Sequence, residues 1–477
     1  MNQTIDHVAL LPGYAAAGTV VLVLLFDLVF GRRGVTSAVA AIGFTVTATA
    51  AVGVGLAQPR ETFCSEAGCS LVTGVPGTVF VVALTVLALA VLALSSPLLR
   101  DGHAPAGEYV FLLACSLTGG VILAYARDLV TIIVALETLT LPLYALVAMR
   151  GESRRSAEAA VNFLLVSVAA GAVTLFGAGI LFVAGGAVHL SALAQTLTVT
   201  PLSLVGAAMV VAGMSFKLAA VPLHGWAAGT YDGAPLPIAA YLSTASKLGG
   251  VAALLWVVTE GLTPILGSVW PVLAVLAVAS MTVGNLVALR QHRTVRLLAW
   301  SSIAQAGYLL VPLTGYAASG GSSDAAAAVL VFALLYVVME LVVFAALITL
   351  RGRESDGGRI VDLAGSLRTS PVAAVALLLA LAALAGLPPG LAGLFAKVTV
   401  LSVVAEPLPW LAVVVAVNAV VGLVYYIRFG VAVVRSGGDT TPPVRTTWPV
   451  AVTTAVATVV MIVVGFAPQL VWATAVF

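Results

Sequence analysis

The residues of this chain best suited to chemistry are its three lysines, because all of them lie within long apolar segments. Of the 21 lysines and arginines, only Lys217, Lys247 and Lys397 are lysines, and most of the eighteen arginines lie at the ends of apolar segments. Arginine stays protonated under all relevant conditions, whereas a lysine withdrawn from water can gain and lose a proton near neutral pH. This segregation predicts that the lysines transfer protons.

An acidic residue, Glu137, lies in the middle of another apolar segment, with no cation nearby in the sequence. A charged residue at the centre of a membrane helix costs ~2.5–3.5 kcal/mol, so four of them facing lipid would cost on the order of 10 kcal/mol. We therefore expect all four to face the protein interior, with Glu137 and Lys217 as the preferred pair and Lys247 and Lys397 as relay positions. Purely structural ion pairs are the alternative, although three cations and one anion do not pair off.

Two further titratable residues have open roles. His224 follows Lys217 by seven residues, which would place both on one helix face, but Pro222 lies between them. A proton-relay role and a capping role are equally consistent with that position. Glu340 is a second acid inside an apolar segment, and the sequence offers no partner for it. The predicted proton-transfer set is therefore Glu137, Lys217, Lys247, Lys397 and His224.

The composition indicates that the surrounding solvent is lipid. Of the 477 residues, 61% are apolar and only 8% are charged, and the mean hydropathy is +1.15; soluble domains carry about 25% charged residues. Apolar runs of about 18 residues or more recur, long enough to cross about 30 Å as helices, and the alternating polarity of membrane strands is missing. We predict an all-α polytopic membrane protein.

Hydropathy predicts fourteen membrane spans in a single transmembrane domain that occupies residues 1–477. Their boundaries are expected to be accurate to a few residues. The predicted spans are 8–30, 35–57, 77–99, 108–126, 128–149, 160–185, 201–224, 234–258, 267–289, 295–315, 325–350, 371–405, 408–434 and 448–475.

Two of these spans are interrupted, and both interruptions lie near a lysine. Pro222 follows Lys217 in the seventh span, and Gly-Leu-Pro-Pro-Gly at 386–390 precedes Lys397 in the twelfth. Broken helices five spans apart predict two inverted five-helix repeats, 108–258 and 267–434. N-terminal helices at 8–99 and a C-terminal helix at 448–475 would flank them. Two kinks that serve packing alone are the alternative.

The arginines also predict how the chain is oriented in the membrane. Most of them fall in or beside alternate, odd-numbered connections, which the positive-inside rule assigns to the cytoplasm. An even number of spans then places both termini outside, together with the polar loop that carries Cys64 and Cys69. The spacing of these two cysteines is compatible with a disulfide, and two unpaired thiols are the alternative.

Several functions are disfavoured by the sequence. The net charge of +2 and the lack of a basic patch interleaved with aromatic residues argue against nucleic acid as a partner. No glycine-rich nucleotide loop precedes a helix, and no cysteine or histidine cluster has metal-ligand spacing. We therefore expect no cofactor in this chain, so any electron chemistry would occur in a partner subunit.

Four sequence motifs resemble the antiporter-like membrane subunits of respiratory complex I, the proton-translocating NADH:quinone oxidoreductase. They are Met-Ser-Phe-Lys-Leu-Ala-Ala-Val-Pro-Leu-His-Gly-Trp at 214–226, Tyr-Leu-Ser-Thr-Ala-Ser-Lys at 241–247, Arg-Leu-Leu-Ala-Trp-Ser-Ser-Ile-Ala-Gln-Ala-Gly-Tyr at 296–308 and Gly-Leu-Pro-Pro-Gly-Leu-Ala-Gly-Leu-Phe-Ala-Lys at 386–397. The resemblance begins near residue 10 and covers nearly the whole chain.

This resemblance implies a role for each buried charge. Glu137 and Lys217 match the family's ion pair, which controls the protonation of Lys217. Lys247 matches the central relay, and Lys397 matches the exit-side proton donor. Glu340 is not expected from the family.

The resemblance also implies partners. Other membrane subunits would flank the chain on both sides in a hetero-oligomeric complex of the bacterial plasma membrane. NADH, FMN, iron–sulfur clusters and quinone would bind to partner subunits. Three alternatives stay open: a subunit of a multisubunit Na⁺/H⁺ antiporter or membrane-bound hydrogenase, a non-conducting structural spacer, and a stand-alone transporter. The last is disfavoured because no polar cluster beyond the charged residues indicates a solute pocket.

Overall fold

The computed structural model describes residues 5–102, 104–150, 153–351, 356–436 and 446–475. Within these ranges the chain is helical apart from one short hairpin and the connections. Thirteen helical segments there are long and apolar enough to cross a membrane, and two shorter apolar helices replace the predicted twelfth span. The predicted all-α membrane fold is confirmed.

The N-terminal part contains a disulfide-linked hairpin between its second and third helices. Strands β1 and β2 pair in antiparallel register, with Cys64 opposite Cys69, and a disulfide joins these two residues. Of the two alternatives that the cysteine spacing left open, the structure therefore contains the disulfide. The elements are α1 (Leu11–Phe30), α2 (Arg33–Gly55), β1 (Arg60–Ser65), β2 (Gly68–Thr73), α3 (Val75–Leu94) and α4 (Ser96–Arg100).

The first predicted repeat contains more breaks than the sequence indicated. Its seventh span was predicted to run to residue 224, but α-helix ends at Ser215 and a 3₁₀ turn ends at Leu218. The eighth span is divided at Thr244, where no break was predicted. The helices are α5 (Ala106–Tyr125), α6 (Leu129–Ala148), α7 (Arg154–Gly185), α8 (Leu190–Thr196), α9 (Pro201–Ser215), α10 (Ala227–Gly233), α11 (Leu236–Ser243) and α12 (Ala245–Trp256).

The second predicted repeat contains the break that the sequence placed at 386–390. The twelfth span is two helices separated by this segment, in which Gly386 has a positive φ of 79°. The helices are α13 (Leu266–Ala288), α14 (Thr294–Ala318), α15 (Ser323–Arg351), α16 (Ser366–Thr369), α17 (Pro371–Ala385), α18 (Leu391–Val404) and α19 (Pro409–Val434), followed by α20 (Trp448–Phe466) and α21 (Gln469–Trp472).

Each predicted repeat contains a close contact between its first two helices, and in both repeats a glycine permits it. A Cβ on Gly119 would lie 2.2 Å from the Leu139 backbone nitrogen, and one on Gly284 would lie 2.5 Å from the Ala304 nitrogen. Both glycines therefore let the first helix of a predicted repeat approach the second closely, as small residues do in membranes. The shared contact agrees with the division into inverted repeats, which stays a prediction.

The helix that carries Lys247 lies near the centre of the bundle. The helices α11 and α12 are buried throughout, and α14 and α15 are nearly so, whereas only a minority of α1, α7 and α20 is buried. A run of alanines at 325–328 in α15 is buried, and such small side chains permit close packing. The bundle therefore surrounds α12, α14 and α15 with protein and presents its outer helices to lipid.

Candidate functional site

Lys217 lies at the point where the seventh span breaks. The 3₁₀ turn Phe216–Leu218 follows α9, and Ala219 adopts a left-handed conformation with φ of 60°. The side chain of Lys217 is only 6% exposed. The last carbonyls of a helix have no partner within it and carry partial negative charge, so this end of α9 favours a cation.

The Lys217 ammonium is held by three side chains from two neighbouring helices. Its Nζ donates to Glu137 Oε1 at 3.2 Å and to Thr140 Oγ1 at 2.9 Å, both on α6, and to Ser167 Oγ on α7 at 3.3 Å. The expected contact between Lys217 and Glu137 is present. Because an ammonium has three donors, these partners satisfy all of them.

Glu137 extends from this buried ammonium to the outer surface of the helix bundle. Its side chain is 33% exposed, and it lies on the face of α6 that also carries the exposed residues Val134 and Leu141. Glu137 therefore reaches the apolar surface of the bundle.

Lys247 lies deeper than Lys217, in the first turn of α12. It is completely buried, and its Nζ donates to the Ser302 carbonyl oxygen on α14. Ser302 also bonds Tyr336 of α15 through their hydroxyls at 2.8 Å. One turn after Lys247, Gly250 lets α12 pack directly on Lys217, because a Cβ there would lie 2.9 Å from Lys217 Cβ. Lys247 thus lies one helical turn from the residue of α12 that packs against Lys217.

Lys397 binds the end of a broken helix. Its Nζ donates to the Ala385 carbonyl oxygen, the last residue of α17, at 2.6 Å, and lies 5.8 Å from the centre of the Tyr308 ring. Like Lys217, it therefore occupies the negative end of a helix interrupted within the membrane region. No hydrogen bond or ion pair to an acidic side chain is present for it among the described residues.

His224 makes only local contacts in the described structure. Its Nδ1 lies 3.1 Å from the Pro222 carbonyl oxygen, and its ring packs edge-on against Trp300 with 5.4 Å between ring centres. None of its described hydrogen bonds reaches one of the three lysines. The relay role for His224 stays a prediction. Its contacts with Pro222 and Trp300 hold the chain that follows the break in the seventh span.

Glu340 is the buried acid for which the sequence offered no partner. It lies in α15 and is fully buried, and neither carboxyl oxygen has a hydrogen-bond partner of good geometry. Lys247 and Tyr336 are among the groups close enough to interact with its charge. Glu340 therefore shares the environment of the central lysine without forming an ion pair within 4 Å of it among the described residues.

Polar side chains continue from this centre toward Lys397. Tyr426 of α19 bonds the Ser301 hydroxyl and accepts from Gln305 Nε2 at 3.3 Å. The same Gln305 amide lies 3.5 Å from the Leu384 carbonyl, which is adjacent to the carbonyl that binds Lys397. This band could not be predicted from the sequence, because serine and tyrosine are common in membrane helices without such a role.

A cluster of charges outside the spans joins several helix ends. Arg293 donates to both oxygens of Asp232, at 2.9 and 3.0 Å, and to Asp356 at 3.1 Å, and Arg150 lies 3.4 Å from Asp356. Burial opposes ionisation of Asp356, but the Arg293 hydrogen bond, the Gly358 amide and the two arginine charges outweigh it and lower the pKa of Asp356. This cluster joins Asp356 to α10 and to the start of α14.

These features define a class of protein: a polytopic helical membrane protein with two broken helices, a lysine at each break and a third lysine fully buried within the bundle. The profile of the family described as NADH:quinone oxidoreductase/Mrp antiporter transmembrane proteins matches residues 126–422. The chain is 53% identical to NADH-quinone oxidoreductase subunit N of Salinispora tropica, over 99% of this chain and 98% of that protein. It is 42% identical to NADH-quinone oxidoreductase subunit N 2 of Streptomyces griseus, over 91% and 84% of the two chains.

Solved structures agree with this assignment. A chain of respiratory complex I from Thermus thermophilus, determined with bound aureothin, superposes with a TM-score of 0.81 at 27% identity over 97% of this chain and 98% of that chain. A chain of the Mrp complex from Dietzia shares the fold, with a TM-score of 0.86 at 19% identity over 99% and 96% of the two chains. The chain belongs to the NADH:quinone oxidoreductase/Mrp antiporter membrane family, which confirms the resemblance seen in its motifs.

Proposed function

We propose that this chain is the N-type antiporter-like subunit of a bacterial proton-translocating NADH:quinone oxidoreductase, and that it conducts protons through Glu137, Lys217, Lys247 and Lys397. The similarity to named N subunits along almost the entire chain supports the choice of complex. The observation that carries the proton-transfer role is the buried Lys217 ammonium, which is held by a carboxylate that reaches the side of the molecule.

The geometry allows a proton to move between side chains without a covalent intermediate. A charge change in a flanking subunit would act first on the partly exposed Glu137 carboxylate. Displacing that carboxylate from its 3.2 Å contact with Lys217 removes an attraction that favours the ammonium, so the proton is released. Lys247 would receive it across the contact at Gly250, and Lys397 would pass it to the far side.

The remaining assignments belong to the same proposal. Membrane subunits would flank the chain on both sides, and NADH, FMN, iron–sulfur clusters and quinone would bind elsewhere in the complex. The chain would thus be part of a translocase whose redox chemistry takes place in its partners. It would lie in the bacterial plasma membrane with both termini and the Cys64–Cys69 hairpin outside.

The test is NADH-driven proton uptake by inverted membrane vesicles that carry Glu137→Gln or Lys217→Ala in the assembled complex. We expect both variants to lose most proton uptake, because each breaks the pair. Glu158→Gln is the matched control, since Glu158 is a 64% exposed acid on α7 that pairs only with Arg154 in the described structure. Unchanged uptake in both variants would refute the proposal and favour a structural spacer.

The same vesicles distinguish the ion that moves. We expect proton uptake to be the same with and without sodium in the medium. Uptake that requires sodium would contradict the proposal and favour function as part of a sodium–proton antiporter.

A further inference from the structure

Glu340 is a buried titratable residue to which the proposed relay assigns no function. It has no exposed surface, and both carboxyl oxygens lack a hydrogen-bond partner in the described structure. Placing a polar group inside a protein without hydrogen bonds is costly, and for a lasting charge the cost is greater. A residue of this kind in the most buried helices requires an explanation beyond packing.

The surroundings of Glu340 connect it with Lys247 on one side. Tyr336 lies one helical turn before Glu340 on α15, and its hydroxyl bonds the Ser302 hydroxyl at 2.8 Å. The carbonyl of Ser302 accepts from Lys247 Nζ, which lies 5.8 Å from the centre of the Tyr336 ring. Tyr231 also reaches the Ser302 hydroxyl, at 3.5 Å. The Ser302, Tyr336 and Tyr231 hydroxyls near Lys247 can both donate and accept hydrogen bonds.

Glu340 is also near the band of polar groups that leads to Lys397. It lies close enough to the Tyr426 hydroxyl for their charges to interact, and Ser301 and Gln305 bond that hydroxyl. Gln305 then approaches the end of α17, where Ala385 accepts from Lys397. Polar groups near Glu340 therefore reach each of the last two lysines of the proposed relay.

We propose that Glu340 carries a proton between Lys247 and Lys397. The proton leaves Lys247 Nζ and an O–H bond forms on the Glu340 carboxyl, with the Tyr336 hydroxyl passing a proton on by forming one O–H bond as it breaks another. This transfer converts an ammonium and a carboxylate into a neutral amine and a neutral acid, so the net charge of the interior stays constant. The proton then leaves Glu340 toward Lys397, and the carboxylate again faces a Lys247 ready to be reloaded.

This proposal rests on the proposed function, and its test separates the two. In vesicles with the assembled complex, Glu340→Gln preserves size and polarity but cannot exchange a proton. We expect it to lose proton uptake to the extent of Lys247→Ala measured alongside, and Glu340→Asp to restore part of the uptake. Tyr336→Phe should lower uptake as well, because it removes only the linking hydroxyl. Glu158→Gln is again the control.

The outcomes are distinguishable. Normal uptake in Glu340→Gln, together with lost uptake in Lys247→Ala, would refute the role of Glu340 and leave the proposed function intact. Normal uptake in both would refute the proposed function. If Glu340→Gln fails to assemble, infrared difference spectra of wild type and Glu340→Asp during turnover decide the matter. A carboxyl C=O band that changes with turnover and shifts in Glu340→Asp supports the proposal, and its lack in wild type overturns it.

Discussion

At the residue scale, the Lys217 ammonium has a complete set of partners. Glu137 supplies the charge, whereas the Thr140 and Ser167 hydroxyls supply two neutral hydrogen bonds that hold Nζ in place. The sequence predicted the Glu137 contact because both residues are charged and lie in apolar spans. It could not predict the two hydroxyls, since threonine and serine in membrane helices usually bond their own backbone, as Thr140 also does to Leu136.

Replacing Thr140 tests the importance of these neutral hydrogen bonds. Thr140→Val keeps the shape of the side chain but removes the 2.9 Å bond to Lys217, a bond to a charged group that is worth about 2 kcal/mol. We expect slower proton uptake with normal assembly. Thr138→Val is the matched control, because the Thr138 hydroxyl bonds only Val134 of its own helix in the described structure. Equal uptake in the two variants would contradict this account of Lys217.

The Asp356 cluster makes a prediction about pH. The lowered pKa of Asp356 means that its ionised form stabilises the fold fully above the ordinary value of 3.8 and loses this effect only as pH falls through the lower folded value. Asp356→Asn should therefore lower stability equally at pH 7 and pH 5, by about 1 kcal/mol after solvent screening. Thermal unfolding of the detergent-solubilised complex measures this. A difference that shrinks at pH 5 would be inconsistent with the lowered pKa.

At the element scale, the broken helices place lysines beside free carbonyls. The breaks after Lys217 and before Lys397 were predictable because proline cannot continue a helix and glycine permits the left-handed turn. The break at Thr244 was not predictable, since residues 238–248 contain neither proline nor glycine. There the Ser243 and Thr244 hydroxyls both bond the Ala240 carbonyl and compete with the helical backbone.

Gly386 tests the geometry of the second break. With φ of 79°, an alanine there costs about 1 kcal/mol, and its Cβ would lie 2.9 Å from Lys397 Cδ and 3.2 Å from Nζ. We expect Gly386→Ala to reduce proton uptake more than it reduces assembly, because the ammonium is displaced from Ala385. Gly179→Ala on α7 has open space and serves as the control. Normal uptake in Gly386→Ala would show that the position of Lys397 is not critical.

The hairpin offers a test of orientation. Its sequence looked like a polar loop, because two six-residue strands at 60–65 and 68–73 carry too little hydropathy pattern to be recognised, although the cysteine spacing allowed for the disulfide. An impermeant maleimide added to intact cells should label Cys64 and Cys69 only after a reductant. Labelling without reductant would contradict the disulfide, and labelling only in inverted vesicles would contradict the orientation.

At the scale of the whole molecule, the three lysines lie on or beside helices from both halves of the chain. Lys217 lies in the 3₁₀ turn that follows α9, Lys247 on α12 and Lys397 on α18, and α15 contacts both α12 and α18. Hydropathy predicted the spans. The cost of placing a charge in lipid predicted that the charged residues within them face the protein interior. Neither could predict how the charges are arranged in space, because that depends on how helices from both halves pack. The groups that surround Glu340 were therefore not predictable from the sequence.

The central claim is that Lys247 must release its proton, and Lys247→Arg tests it most directly. The guanidinium keeps the positive charge of the site but stays protonated. Lys247→Ala serves as the comparison, because it removes the charge without adding volume to a fully buried site. We predict that NADH-driven proton uptake is lost in both variants while the complex assembles. Uptake at the wild-type level in Lys247→Arg would show that only the charge matters, and would contradict the relay.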